Sequence, residues 1–92
     1  MNNNSFTNPI IVGRLATEPV FEYKNDTKFT TFKLADDNRG DVTIHNIITK
    51  GKQASLCKQH LHKGNLCCIE GKYNGDNIIA YRVTFIKNSY KD

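Results

Sequence analysis

From Lys50 to Lys72 the chain reads KGKQASLCKQHLHKGNLCCIEGK, and this stretch limits the fold more than any other. Leu56, Cys57, His60 and Leu61 recur at helical spacing, so a short amphipathic helix is expected over Gln53–His62. Gly64 supplies the usual C-terminal stop, and a strand is expected directly after it, over Leu66–Tyr73. A short helix set between strands, with every other patterned run β-like, points to an all-β fold with one helical insert.

The remaining runs fit that frame. Ile10, Ile11 and Val12 form a β-branched strand closed by Gly13, and Val20–Lys24 alternates apolar and polar residues after Pro19. Asn25-Asp26-Thr27 is a turn signal, so a hairpin is expected into Lys28–Ala35, the most regular strand. There Thr30, Phe32 and Leu34 share the core face, while Phe29, Thr31, Lys33 and Ala35 share the other. Asp36–Asp41 reads as a polar loop, Val42–Thr49 as a strand, Asn74–Asn77 as a tight turn and Ile78–Ile86 as the last strand. Five main strands with a helix between the third and fourth is the element order of an OB-fold, a five-stranded Greek-key barrel that binds oligonucleotides or oligosaccharides. The expected organisation is an arm over residues 1–7, one domain over 8–87 and a polar tail over 88–92.

Composition sets the bounds. A chain of 92 residues with 38% hydrophobic residues makes one small domain with a thin core, which favours oligomerisation. The net charge of +4 and pI near 9.1 favour an anionic partner. No apolar run reaches membrane-spanning length, so no membrane partner is expected. The N-terminal residues lack the pattern of a signal peptide, so a cytoplasmic location is expected, with the three cysteines as reduced thiols.

Several pieces, in order and at consistent spacing, carry a family resemblance. They are Ile11-Val12-Gly13-Arg14-Leu15, Glu18-Pro19, Phe21-Glu22-Tyr23, Phe32-Lys33-Leu34-Ala35, Gly51-Lys52-Gln53-Ala54, Leu61-His62-Lys63-Gly64 and Ile69-Glu70-Gly71-Lys72. With them the chain resembles the bacterial single-stranded-DNA-binding protein family from about Asn8 to Lys87. The resemblance implies an OB-fold that binds single-stranded DNA without sequence preference, as a homodimer or homotetramer, in replication, recombination or repair. It also implies a His near a subunit contact at His45. The departures are Ile44 and Lys50 where aromatics are common, the lack of Trp, and the lack of an acidic-tipped tail. They mark a minimal or divergent member, or a primosome accessory protein of the same fold that acts through protein contacts.

Binding a single strand regardless of sequence needs cations for the phosphates and flat faces for the bases. Phe29, Thr31 and Lys33 supply both on one side of the second main strand, with Tyr23 expected across the hairpin beside Phe29. Asn46 and Lys50 extend the candidate site onto the third main strand, with Lys52 just beyond, and Arg14, Arg39, Lys72 and Tyr73 form its rim. RNA would be stacked by the same residues. Against these roles, Phe29 and Tyr23 also suit a cross-strand pair that closes the barrel, and lysines are by default solvated. Cys57, His60, His62, Cys67 and Cys68 lack the paired spacing of a zinc site, and the neighbours Cys67 and Cys68 point to opposite faces of a strand. Phosphate-loop, nucleophile-elbow and HExxH patterns are missing as well, so neither enzymatic activity nor a cofactor is expected.

Overall fold

The computed structural model describes residues 8–86. The arm over 1–7, the tail over 88–92 and Lys87 lie outside the described residues. The element order is β1 (Ile10–Leu15), β2 (Val20–Lys24), β3 (Thr27–Asn38), β4 (Asp41–Lys50), α1 (Gly51–His60), β5 (Leu66–Asn74) and β6 (Asn77–Phe85). The strands join in the order β1-β5-β6-β4-β3-β2, and β1 also pairs with β3. That last pairing closes a five-stranded barrel of OB type.

Six strands make a five-stranded barrel because β1 and β2 share one edge of β3. Leu15 and Arg14 pair with Leu34 and Ala35, while Val20–Lys24 pairs with Thr31–Thr27. They are two halves of one strand, broken at Ala16–Pro19. The chain crosses from β4 through α1 and β5 to β6, which returns parallel to β4.

The core follows from alternation. Phe32, Leu34, Ile47, Ile69 and Ile78 face inward and are buried, together with Ile11, Leu15 and Val83. Each such side chain contributes roughly 1.5–3 kcal/mol relative to an exposed position. Helix α1 covers one end of the barrel through Ala54 and Cys57, with Leu61 as its C-cap. Two buried threonines tie it there. Thr30 Oγ1 donates to the Ala54 carbonyl at 2.7 Å, and Thr49 Oγ1 donates to the Thr30 carbonyl at 2.8 Å. Buried hydroxyls with such partners avoid the cost of unsatisfied polar groups.

Four expectations need correction. Gly13 does not close β1, which runs on to Leu15. Asp36–Asp41 is not a loop: Asp36, Asp37 and Asn38 pair with Thr43, Val42 and Asp41, leaving a two-residue turn. Arg39 and Gly40, at φ 57° and 91°, make that turn, and Asp37 Oδ1 accepts from the Gly40 amide at 2.9 Å. Positive φ at both central residues matches the twist of paired strands. The helix spans Gly51–His60 rather than Gln53–His62. It ends before Gly64 because the Leu15 carbonyl takes the Gly64 amide and Asn65 closes a turn onto His62. Within the helix, Leu56 is only half-buried and His60 is exposed, while Ala54 takes the inward position.

Two glycines permit closure. A Cβ at Gly13 would lie 2.4 Å from the Ala35 carbonyl oxygen, and one at Gly71 would lie 2.3 Å from that of Ile79. Gly71 sits at a register shift in the β5–β6 ladder. Gly13→Ala is therefore expected to lower the unfolding free energy by roughly 1–3 kcal/mol, the usual cost of overpacking. Urea denaturation followed by circular dichroism measures it, and unchanged stability would mean that β1 and β3 do not cross so closely.

Candidate nucleic-acid interface

Registers carry the outer face of the barrel from strand to strand. One row is Val20, Thr31, Ile48, Ile79 and Lys72. The next is Lys33, Asn46, Asn77 and Asn74. Beyond it lie Arg14, Ala35 and Ile44, and on the other side Glu22, Phe29 and Lys50. Residues between these positions, such as Phe32, Ile47 and Ile78, are buried, which fixes the rows as outward-facing.

The centre of this face is a shallow groove of about 370 Å³ lined by Thr17, Val20, Thr31, Lys33, Ile48 and Asn77 among others. Lys33 Nζ donates to Asn46 Oδ1 at 2.7 Å, which holds the ammonium over the groove. The Lys33 amide donates to Thr17 Oγ1 at 3.1 Å, so the break between β1 and β2 is anchored to the same residue. Glu18, also on the groove wall, accepts from the Lys63 amide at 3.2 Å and lies 3.7 Å from His62.

The structure brings Phe29, Thr31, Lys33, Asn46, Lys50 and Lys72 onto this one face. Arg14 belongs to it by register, and its guanidinium donates to the Gly64 carbonyl at 3.0 Å. The other candidates fall elsewhere. Tyr23 does not lie beside Phe29: its cross-strand partner is Lys28, and Phe29 faces Glu22 instead. Because side chains alternate, Tyr23 projects from the opposite face. Tyr73 pairs with the buried Ile78 and so turns away from Lys72. Lys52 stands on α1, and Arg39 occupies the tip of the β3–β4 hairpin, flanked by Asp37 and Asp41. Sequence reading missed Val20, Ile48, Asn77 and Ile79. Their outward parity was legible in the strand alternation. Val20 and Ile48 meet the face through the β2–β3 and β3–β4 ladders, whereas Asn77 and Ile79 reach it only through the parallel β4–β6 pairing.

His45 lies on the inner parity of β4 opposite Leu34, mostly buried, with Nε2 3.8 Å from Asp36 Oδ2 and no hydrogen-bond partner. Among the described residues, no three His, Cys, Asp or Glu side chains cluster as a metal ion requires.

The cysteines are free thiols, with Cys57 and Cys67 buried and Cys68 half-buried on the outer face. Burial pushes Cys57 up from 9.0 to about 11, partly offset by a hydrogen bond with Thr49. Burial, then the neighbouring Cys57 and Cys68, push Cys67 up to about 12. A thiol whose folded pKa exceeds its unfolded one stabilises fully below the unfolded value and loses that contribution as pH rises through the folded one. Urea midpoints are expected to fall as pH rises from about 9 to about 12, and a Cys57→Ala/Cys67→Ala variant is expected to flatten that part of the profile. An unchanged slope in the variant would assign the loss to other groups.

Comparison with known proteins agrees with this architecture. The family model described as "Single-strand binding protein family" matches residues 6–80. No curated protein sequence matches significantly. A small single-stranded DNA-binding protein from Streptomyces coelicolor superposes with a TM-score of 0.81 at 21% identity, over 94% of this chain and 95% of that one. The second single-stranded DNA-binding protein of Mycobacterium smegmatis gives 0.77 at 22%, over 92% and 98%. A deletion mutant of the single-stranded DNA-binding protein from Thermus aquaticus gives 0.85 at 17%, over 99% of this chain and 47% of that one.

Proposed function

The chain belongs to the single-strand binding protein family, and from that premise we propose that it binds single-stranded DNA without sequence preference along the outer face of β3 and β4. The observation that carries this reading is the contiguity of Phe29, Thr31, Lys33, Asn46 and Lys50, with Lys72 across β6. Phe29 offers a π face, and Lys33, Lys50 and Lys72 offer cations at the spacing of neighbouring strands. Thr31 and Asn46 add hydrogen-bonding groups that suit sugar and phosphate. Arg14 extends the track towards β1, and Arg39 adds a cation at the hairpin tip. The action is binding, not catalysis, and it serves processes that expose single strands: DNA replication, recombination and repair. RNA is the competing ligand, since stacking on Phe29 does not read the sugar.

A homo-oligomer is part of the same proposal. Ile10 and Val12 on β1 are 68% and 51% exposed, and a thin core gains from covering them. A second reading, assembly through protein contacts, has its own support. Val42 and Ile44, 57% and 49% exposed, stand on the outer face of β4, and Val42 and Val12 line one hollow of about 380 Å³. Aliphatic side chains there pack against protein better than they stack on bases.

Fluorescence anisotropy with labelled oligo-dT at several salt concentrations separates the two readings, with duplex DNA and an RNA homopolymer as competitors. Salt-sensitive binding selective for single strands is expected. Phe29→Ala is expected to cost about 1–3 kcal/mol of binding, the usual worth of a stacked base. Lys33→Ala is expected to lower the salt slope by about one. Unchanged binding by a folded Phe29→Ala would move the site off this face, and no binding at low salt would favour the assembly reading.

A further inference from the structure

Opposite the outer face, α1 and the β2–β3 hairpin enclose a second concave surface. Its hollow of about 500 Å³ is lined by Asp26, Thr27, Lys28, Gly51, Lys52 and Ser55. Lys52, Ser55 and Lys58 recur every three residues on α1 and so share one side of the helix. Lys58 Nζ sits 4.4 Å from the centroid of the Phe21 ring on β2, at the far end of that stripe. Phe21 and Tyr23 share a face of β2, with Lys28 directly across from Tyr23. Tyr23 is 65% exposed.

Charges sort between the two faces. Glu22 alternates onto the outer face beside Phe29 and lies 3.5 Å from Lys24. On the hollow's side stand Lys28, Lys52 and Lys58, and Asp26 at the hairpin tip is the one carboxylate among the lining residues. An exposed ring flanked by cations is what a single strand needs: a platform for a base and counter-charges for the phosphates on either side.

We propose that this cleft is a second track for single-stranded DNA, in which Tyr23 stacks a base and Lys28, Lys52 and Lys58 hold the backbone. The proposal rests on the outer-face reading, because both tracks take the same ligand. A strand that leaves the outer face passes round β2, whose far edge has no neighbouring strand among the described residues, and enters the cleft. The outer face alone holds a short oligonucleotide, and a longer one gains the cleft. An acidic protein segment would meet the same lysines but would not need the Tyr23 ring.

The test is length dependence on the full chain. Oligo-dT of about 6 and about 30 nucleotides, one within and one well beyond the roughly 4–16 nucleotides that one OB-fold holds, is titrated against wild type, Tyr23→Ala and Lys28→Ala. Both substitutions fall on exposed positions, and circular dichroism checks folding. The expected result is that both variants bind the short oligonucleotide like wild type. On the long one, Tyr23→Ala is expected to lose about tenfold, and Lys28→Ala to show a shallower salt slope. Long-oligonucleotide binding unchanged in both variants would overturn the second track, as would equal losses at both lengths. Tight binding of a poly-glutamate peptide that is insensitive to Tyr23→Ala, with long-oligonucleotide binding intact, would assign the cleft to acidic protein and overturn it too. If wild type bound neither length, the outer-face reading would fail along with this one. If it bound the short form but gained nothing with length, only the second track would fail.

Discussion

The close crossing of β1 over β3 is the constraint on which the rest depends. Gly13 lets the two backbones approach where any side chain would strike the Ala35 carbonyl. That approach permits the Arg14–Ala35 and Leu15–Leu34 pairings that turn a six-stranded sheet into a barrel. Without closure, Leu34, Ile47 and Ile69 would face water, and a chain this short has no other core to offer.

Closure also explains why one long strand serves several neighbours. β3 gives its C-terminal part to β1 and its N-terminal part to β2 along the same edge, and its other edge to β4. The break at Ala16–Pro19 is held by Thr17, which accepts from the Lys33 amide. Lys33 therefore lies where the split strand, the groove and the Asn46 hydrogen bond meet. At the barrel end, the Thr49–Thr30–Ala54 chain of hydrogen bonds ties α1 under the sheet and fixes which side of the β2–β3 hairpin the helix can reach.

The departures from the usual aromatic complement of this family have a spatial sense. On the outer face of β3 and β4, Phe29 stands across from Lys50, and Ile44 stands across from Ala35 further along the same strand pair. Phe21 and Tyr23 lie on the other side of β2, next to the lysines of α1 and β3. Aromatic and basic character is thus divided between the outer face and the side of β2 that faces α1.

Local pattern was enough to reveal the strand–helix–strand order, the inward set Thr30, Phe32 and Leu34, and the outward set Phe29, Thr31 and Lys33, because a strand's side chains alternate whatever it pairs with. The Asn25-Asp26 turn was legible for a similar reason: both residues tolerate the positive φ seen there. Sequence could not show that Tyr23 parts from Phe29, since one residue of hairpin register moves a side chain to the opposite face. Nor could it show that Asp36–Asp41 continues the ladder, because the paired partner, not the polarity of the segment, decides whether a backbone stays extended. The meeting of Asn77 and Ile79 with Lys33 and Ile48 rests on the parallel β4–β6 contact between segments far apart in the chain. Alternation within each strand was written in the sequence, and the register between strands was decided only when closure of the barrel chose which strands lie side by side.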